Sequence, residues 1–185
     1  MVKPLKKGAT YGDLCAVPEN FVAEILGGDL YASPQPVFRH VRAASALGAL
    51  IAGPFQFGVN GPGGWLILDE PELHFGADVL VPDLAGWRSE RVADWSEAAY
   101  LTVAPDWVCE VLSPSTERID RTKKLAIYAR EGVQQVWLLD PLTRTLEILR
   151  LDGARWSLTA THEGEQRIRA EPFDEVEFDL GALWG

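Results

Sequence analysis

The chain has 185 residues, of which 47% are hydrophobic and 24% are charged. This composition fits one folded domain with a substantial core and excludes a disordered chain. No apolar run approaches the roughly 18–20 residues that a membrane-spanning helix requires. The formal net charge of −10 argues against a protein that coats nucleic acid, because general phosphate binding requires a basic surface.

The first ten residues are basic, but no apolar stretch follows them, so the sequence predicts no secretory signal. Cys15 and Cys109 are the two cysteines, and their spacing matches neither a metal site nor a disulfide framework. A cytoplasmic location is therefore expected.

The first half of the chain predicts a hairpin and a helix. Residues 11–14 suggest a short helix within a polar lead-in. Two apolar runs around Gly27 and Gly28 are typical of a β-hairpin, because both turn residues can adopt positive φ. Residues 39–52 show helical spacing, with apolar side chains at Val41, Ala44, Leu47, Leu50 and Ile51. The glycine-rich segment 58–64 lacks the lysine of a phosphate-binding loop and is interpreted as a turn.

The second half alternates predicted strands with one helix. Strands are expected at 65–68, 72–75, 79–87, around Glu110, and at 133–139, 145–151 and 156–160. Residues 88–105 are polar and irregular, with Trp95 and Tyr100 as candidate anchors. A helix is expected from about 115 to 130, closed by Gly132, and a final turn at 181–185. These elements predict one mixed α/β (α+β) domain over residues 1–185.

Two carboxylates in apolar strands are the main chemical signal. Because side chains alternate along a strand, Glu110 shares a face with Val108 and Leu112, and Asp83 lies on the face of Val81 and Ala85. An uncompensated buried carboxylate costs several kcal/mol, and two neighbouring ones repel each other. A divalent cation would resolve both problems. Ligation by carboxylates, a strand carbonyl and water suits Mg²⁺ or Mn²⁺.

A simpler explanation remains for each acid taken alone. A single acid in a strand most often lies at the sheet end and bonds a backbone amide or an arginine. The three histidines, His40, His74 and His162, are scattered and form no zinc spacing. The pairing of the two acids, followed by a basic helix, favours the metal site.

The predicted helix adds a lysine. Residues 118–130 contain one acid and five bases, a cluster that could also be only a solvated helix face. Asp120, Lys124 and Tyr128 are spaced by four residues and share one face. Lys124 is expected to lean toward the strand carboxylates, with Asp120 or Tyr128 fixing its rotamer, and to stabilise charge on a phosphate. An ordinary Asp–Lys helix pair is the alternative.

Taken together, these motifs resemble a known family. They are similar to the pattern of the Uma2 family of endonucleases. The matching segments are Val81-Pro82-Asp83-Leu84, the run from Glu110 to Thr116, the helix residues Asp120, Lys124 and Tyr128, and then Gly132-Val133 and Trp137-Leu138-Leu139-Asp140-Pro141. That family belongs to the PD-(D/E)XK, restriction-endonuclease-like superfamily. Residues 24–30, Ser33-Pro34 and His40 also match its pattern, so the resemblance covers nearly the whole chain.

The resemblance implies a restriction-endonuclease-like fold with a central mixed sheet of four to six strands, flanked by helices, and an N-terminal hairpin. It implies Mg²⁺ (or Mn²⁺) held by Asp83, Glu110 and the carbonyl of Val111. The superfamily lysine two positions after the acid is replaced here by Leu112, so Lys124 would act in its place. Glu24 matches a further acid of the superfamily.

Three functions follow as hypotheses. The first is a metal-dependent endonuclease that acts on DNA through Asp83, Glu110 and Lys124. In this hypothesis, Arg118, Arg121 and Lys123 of the basic helix make weak, non-specific contacts with the DNA backbone. The second is an inactive nuclease-like module for protein association or nucleic-acid binding, and the third is hydrolysis of another phosphate ester. A homodimer is also expected, from an apolar surface that Trp65, Trp95 and Trp156 would mark. No membrane partner is expected.

Overall fold

The computed structural model describes residues 3–92 and 95–185. Expectations for residues 1–2 and 93–94 lie outside these ranges. Within the described residues, no helix has the length and apolar character needed to cross a membrane.

An antiparallel five-stranded sheet is built from the first half of the chain. Its strands, in spatial order, are β1 (Lys6–Lys7), β3 (Asp29–Pro34), β2 (Phe21–Leu26), β6 (Asp78–Leu80) and β5 (Leu73–Phe75). Strands β2 and β3 form a hairpin whose turn residues, Gly27 and Gly28, have φ values of 65° and 77°. Only residues without a Cβ adopt such values readily, which explains the glycine pair.

A mixed six-stranded sheet forms the centre of the molecule. Its spatial order is β11 (Arg155–Glu163), β10 (Thr145–Asp152), β9 (Gln135–Asp140), β8 (Trp107–Val111), β7 (Leu84–Arg88) and β4 (Trp65–Asp69). All neighbours are antiparallel except β8 and β9, which are parallel. Residues 81–83 carry the chain from β6 in one sheet to β7 in the other.

Helices pack on both sheets. Helix α1 (Tyr11–Cys15) lies against the five-stranded sheet, where it contacts β2. Helix α2 (Phe38–Ile51) packs on the central sheet and continues into a π-helical turn at Ala52–Gln56. A parallel strand pair requires a crossover connection, and here it runs through residues 117–131, called the crossover helix below. It consists of α3 (Glu117–Ile119), a π-helical turn (Asp120–Lys124) and α4 (Leu125–Glu131), and it ends at Gly132 in the left-handed conformation.

Short elements complete the fold. They are a 3₁₀ turn at Ser89–Arg91, the two-stranded sheet of β12 (Arg167–Ile168) and β13 (Phe178–Asp179), and a 3₁₀ turn at Leu180–Leu183.

Strand β8 separates two hydrophobic cores. Trp107, Cys109 and Val111 join the core that contains α2, whereas Val108 and the following Leu112 join the core that contains the crossover helix. This alternation is the period of two that a strand imposes. Glu110 falls on the side of the crossover helix, among apolar neighbours, and is 2% exposed.

Aromatic rings fill the core on the α2 side. The Phe173 ring lies 4.8 Å from Phe55, 4.9 Å from Trp65 and Trp107, and 5.6 Å from Trp137, measured between centroids. The three edge-to-face or tilted tryptophan contacts are favourable aromatic geometries.

Glycine permits this packing at one position of β7. A Cβ on Gly86 would lie 3.2 Å from Trp107 and 3.3 Å from Trp65, closer than most carbon contacts. The two indoles therefore close over the strand because Gly86 has no side chain.

Most predicted elements are confirmed, namely the short first helix, the hairpin, α2, the turn at 58–64, the strands and the crossover helix closed by Gly132. The predicted strand over 79–87 is wrong: β6 and β7 belong to different sheets, and residues 81–83 link them. The apolar pattern did not reveal this break, because an apolar run persists when a chain passes between two cores.

Three aromatic or apolar side chains differ from expectation. Trp65 is only 3% exposed and joins the core, so it does not mark an apolar surface. Trp95 is 42% exposed, which agrees with its expected place on an apolar surface and not with a buried anchor. In α2 the buried positions are His40, Ala43, Leu47 and Ile51, whereas Val41 is 43% exposed.

Replacement of Phe173 by alanine is expected to lower the free energy of unfolding by about 3–5 kcal/mol, because it leaves a cavity among four aromatic rings. Urea unfolding followed by tryptophan fluorescence measures this change. Phe57→Ala is the matched control, since Phe57 is 69% exposed, and it should change stability by less than about 0.5 kcal/mol. Equal effects of the two substitutions would contradict the core assignment.

Candidate active site

The candidate site lies where the two sheets meet. Glu24 comes from β2, Asp83 ends the link between β6 and β7, and Glu110 comes from β8. The β7–β8 register pairs Leu84 with Cys109, and its extension by one residue sets Asp83 opposite Glu110. Directly opposed residues have Cβ atoms about 4.5–5.5 Å apart. The fold therefore makes neighbours of two acids that are 27 positions apart in sequence.

Glu110 is held by two donors from the crossover helix. The Lys124 Nζ donates to Glu110 Oε2 at 2.7 Å, and the Tyr128 hydroxyl donates to Glu110 Oε1 at 2.5 Å. All three side chains are buried. Burial raises the pKa of Glu110 well above its usual value, and the positive charge of Lys124 opposes that effect.

Lys124 makes further contacts around its ammonium group. Its Nζ lies 3.1 Å from Glu24 Oε1, 3.4 Å from the carbonyl oxygen of Val81 and 3.8 Å from Asp120 Oδ1. Burial alone would lower the pKa of Lys124, but the carboxylates of Glu110 and Glu24 outweigh it and raise the pKa well above its usual value. Lys124 therefore remains a cation, although it is 3% exposed.

The π-helical turn positions this lysine. Asp120 and Lys124 are the first and last residues of that turn, and both are buried. π-Helical turns within α-helices occur frequently at functional sites. The helix is also tied to the central sheet, because the Trp156 indole Nε1 donates to the Leu125 carbonyl at 2.9 Å.

Asp83 is oriented through both of its oxygens. Oδ2 accepts from the Val111 backbone N–H at 2.7 Å, and Oδ1 lies 3.3 Å from His40 Nε2. Burial raises the pKa of Asp83 to about 7, although Lys124 acts in the opposite direction. Burial also lowers the pKa of His40, so the imidazole is neutral near pH 7.

The cluster contains more acid than base. Four carboxyl groups, those of Glu24, Asp83, Glu110 and Asp120, face the single ammonium of Lys124. Burial raises the pKa of Asp120 to about 6. Near neutral pH the cluster must therefore take up either protons or a cation, because buried carboxylates without compensation are costly.

A cleft of about 390 Å³ opens onto the cluster. Its polar lining residues include the charged cluster, His40, Glu70, and Ser113, Ser115 and Thr116 after β8. Its apolar lining residues include Val22, Pro34, Pro36 and Val37. A phosphate ester could thus reach Lys124 and the strand carboxylates from solvent.

The donor set fits a hard divalent cation with few protein ligands. In residues 3–92 and 95–185, no group of three or more His, Cys, Asp or Glu side chains is spaced to hold a metal ion. Mg²⁺ commonly binds through one or two carboxylates and keeps several waters. Asp83 and Glu110 provide two such carboxylates at the cleft, which Val111 also lines. Each carboxylate has about four acceptor positions, so the bonds already made leave Asp83 and Glu110 able to bind an ion.

The structure brings together the residues that the sequence singled out as catalytic or supporting: Asp83, Glu110, Lys124, Glu24, Asp120 and Tyr128. Of the two residues expected to fix Lys124, Asp120 lies 3.8 Å from its Nζ. Tyr128 instead donates to Glu110, because its hydroxyl reaches the strand directly. Asp83 also realises the simpler alternative in part, since it accepts a bond from a backbone amide.

The basic residues of the crossover helix are largely occupied. Arg121 pairs with Glu117 at 3.0 Å and Glu147 at 2.6 Å. Lys123 lies over the Tyr31 ring, 5.4 Å from its centroid. Arg118 is exposed. The nucleic-acid contacts expected of these three residues stay a prediction.

Sequence reasoning missed the role of His40 at Asp83. The available signal was its spacing, because His40, Ala43, Leu47 and Ile51 form the buried face of α2. A polar residue on such a face requires a partner. The hydroxyls of Ser113, Ser115 and Thr116 and the carboxylate of Glu70 were likewise not recognised as cleft residues.

Comparisons with known proteins bear on the family and on the fold. The model of the Uma2 family, described as "Putative restriction endonuclease", matches residues 9–181. The fold is similar to the crystal structure of a protein from Anabaena variabilis, titled a putative nuclease belonging to DUF820. The TM-score is 0.74 and the identity 23%, over 95% of this chain and 97% of that one. No curated protein matches the chain.

The pKa of Asp83 predicts a pH-dependent stability of the metal-free protein. Its folded value of about 7 exceeds the unfolded value of about 3.9, so the folded state binds the proton more tightly. The stabilisation is complete below about pH 4 and is lost as the pH rises toward 7. The asparagine of Asp83→Asn cannot ionise, so the variant does not lose stability in this pH range through this residue.

We therefore expect the unfolding free energy of Asp83→Asn, measured relative to that of the native chain, to rise by about 2–4 kcal/mol when the pH is raised from 5 to 8. Urea unfolding in the presence of a chelator at both pH values provides the measurement. A difference that does not change with pH would show that Asp83 ionises normally.

Proposed function

The chain belongs to the Uma2 family, and from that premise we propose that it is a Mg²⁺-dependent endonuclease that hydrolyses phosphodiester bonds of DNA. One observation carries the proposal: a buried lysine, two strand carboxylates and an open cleft coincide at one point of the fold. The ammonium of Lys124 lies 2.7 Å from Glu110, and Asp83 is the register neighbour of Glu110. A structural ion pair does not require the adjoining second acid or the cleft.

The carboxylates of Asp83 and Glu110 and the carbonyl of Val111 would hold Mg²⁺ or Mn²⁺. When bound, the ion would supply Lewis-acid stabilisation of phosphate charge and would lower the pKa of water. The chain's own groups orient these ligands. Tyr128 fixes one oxygen of Glu110, and His40 and the Val111 amide hold Asp83, as outer partners of metal ligands commonly do.

Lys124 stabilises negative charge on the reacting phosphate in this proposal. Glu24, Glu110 and Asp120 surround its ammonium and keep it protonated. A charge fixed before the substrate arrives requires no reorganisation during the reaction, which is the main source of electrostatic catalysis. Lys124 thus takes the place of the superfamily lysine that is absent at Leu112.

Binding of DNA is expected to be weak, non-specific and sensitive to salt. The net charge of −10 repels a polyanion, and added salt weakens every protein–phosphate interaction further. Arg118 and Lys123 on the crossover helix are the proposed backbone contacts.

A second function has one observation in its favour. Both oxygens of Glu110 already accept hydrogen bonds within the protein, so the buried pair is complete without an ion. A nuclease-like module that binds nucleic acid or protein without cleavage would retain such a pair. Metal binding separates the two functions.

Mg²⁺ is expected to stabilise the native chain against unfolding, because the ion neutralises the excess carboxylate charge. At a concentration 100 times its dissociation constant the gain is about 2.7 kcal/mol. Differential scanning fluorimetry at pH 7 with increasing MgCl₂ or MnCl₂ tests it. Asp83→Asn should show no such gain, and Asp140→Asn, at a turn outside the cleft, is the control that should retain it. Equal gains in both variants would place the ion elsewhere.

DNA cleavage is expected to require Asp83, Glu110 and Lys124. Asp83→Asn, Glu110→Gln and Lys124→Met should each lower the rate about 10²–10³-fold or more, since each removes a charge at the reacting phosphate. Time courses on plasmid and oligonucleotide DNA in Mg²⁺ and Mn²⁺ measure this, and circular dichroism verifies that each variant folds.

Activity that survives all three substitutions would refute the site. Absence of both cleavage and Mg²⁺ stabilisation would favour the non-catalytic module.

A further inference from the structure

Most of the lysine and arginine side chains of the crossover helix that could bind successive DNA phosphates already pair with groups of the protein. Of the five bases between residues 118 and 130, Arg121 pairs with Glu117 and Glu147, and Arg130 pairs with Asp78 and Glu131. Lys124 is buried among carboxylates. Duplex DNA presents mainly phosphates to a protein, and proteins bind it with free Lys and Arg.

The cleft itself is poor in positive charge. Among the described residues that line it, Lys124 carries the permanent positive charge, whereas five lining residues are acids: Glu24, Glu70, Asp83, Glu110 and Asp120. A bound divalent ion and Lys124 could neutralise one phosphate at the charged cluster. Contacts with further phosphates would meet carboxylates, so affinity must come from another part of the substrate.

An apolar lip borders the cleft. It consists of Pro34, Pro36 and Val37, which line the cleft, and the exposed Phe38, which follows Val37 in the chain and adjoins the lining residues. Val37 is 70% exposed and Phe38 is 93% exposed. Phe38 begins α2, and the buried face of α2 starts at His40, the partner of Asp83. Val37 and the acidic cluster therefore line one cleft, and Phe38 adjoins that cleft at the first turn of α2.

This combination matches the chemistry of an unpaired nucleotide. A nucleotide carries one anionic group and one planar apolar base within a few bonds. In duplex DNA the base faces are covered by their neighbours, so an apolar lip has no surface to contact. In single-stranded or looped DNA the faces are accessible, and aromatic side chains stack on them without regard to sequence.

We propose that the cleft selects unpaired DNA, with one phosphate at Asp83, Glu110 and Lys124 and a neighbouring base stacked on the apolar lip, chiefly on Phe38. This inference rests on the proposed nuclease function and specifies its substrate class. Phe38 acts here as a specificity-determining residue.

Binding is tested without catalysis. Fluorescence anisotropy with fluorescein-labelled oligothymidylate, with Ca²⁺ in place of Mg²⁺ and a gel to verify that the DNA stays intact, should give tighter binding than a blunt duplex of equal length. Phe38→Ala should weaken oligothymidylate binding about tenfold, the lower range of one base-stacking contact. Phe57→Ala, which removes an exposed phenylalanine beyond the opposite, C-terminal end of α2, should leave binding unchanged.

The salt dependence identifies the kind of contact. Removal of a stacking ring lowers affinity at every salt concentration and leaves the slope of log affinity against log salt unchanged. Removal of a cation that binds a phosphate changes that slope by about 0.7 for single strands. Phe38→Ala is expected to keep the slope, and Arg118→Ala serves as the comparison for an electrostatic contact.

Cleavage then tests the substrate class. With Mn²⁺, a single strand and a duplex that contains an unpaired bubble should be cut at least tenfold faster than the fully paired duplex of the same sequence. Phe38→Ala should raise KM for the single strand with little change in kcat, because Phe38 contacts a base and not the reacting phosphate.

The outcomes separate the two proposals. Equal cleavage of paired and unpaired DNA, unaffected by Phe38→Ala, would overturn the substrate class and leave the nuclease function intact. Binding of oligothymidylate that depends on Phe38 without any cleavage would support the lip and refute catalysis. Absence of single-strand binding would overturn the inference. So would a Phe38→Ala variant that changes only the oligomeric state in light scattering, since the lip would then be a contact between copies.

Discussion

The buried ion pair between Glu110 and Lys124 is the interaction on which the rest of the site depends. Strand β8 carries Glu110 into an apolar core, and the crossover helix brings Lys124 and Tyr128 to its two oxygens. Removing one partner of such a pair leaves an uncompensated buried charge, which typically costs about 3–5 kcal/mol. The crossover helix and the central sheet are therefore held in one relative position, and every other group of the site is placed with respect to that pair.

The passage of the chain between two sheets adds the remaining groups. Residues 81–83 leave the five-stranded sheet and enter the six-stranded one. The Val81 amide donates a hydrogen bond to Glu24, and the Val81 carbonyl lies near the Lys124 ammonium. Asp83 lies beside Glu110 in the strand register. Because these three residues connect the two sheets, Glu24 of one sheet and Glu110 of the other both contact Lys124. The helix α2 supplies His40 from the opposite side of the central sheet.

Charge imbalance connects this architecture to chemistry. Burial raises the pKa of Asp83 and of Asp120, and neighbouring carboxylates add to that effect. In the proposed function, the excess of four carboxyl groups over one ammonium would favour binding of a divalent cation. The surrounding protein is acidic as well, with a net charge of −10. Such a molecule does not hold nucleic acid by electrostatics alone. The exposed apolar lip at the cleft supplies a different kind of contact, directed at bases and not at phosphates.

Much of the fold was predictable from local sequence, and so was the choice of the residues that the structure brings together at the candidate site. Period-two and helical patterns, glycine turns and the Gly132 stop are local properties, and they predicted the hairpin, α2, the strands and the crossover helix. The break at residues 81–83 and the burial of Trp65 were not predictable, because apolar runs look alike whether they cross one core or two. The pairing of Arg121 and the contact of His40 with Asp83 depend on residues distant in sequence.

The sequence by itself determined the candidate residues for chemistry: acids within apolar runs, and a lysine four residues from an acid on a helix. Only the tertiary structure decided their partners. Tyr128 bonds Glu110 because the crossover helix lies directly over β8, and Lys124 meets Glu24 because two sheets join at Val81. Hydrogen bonds act over about 3 Å, so their partners are set by the packing of whole elements, which no local pattern encodes.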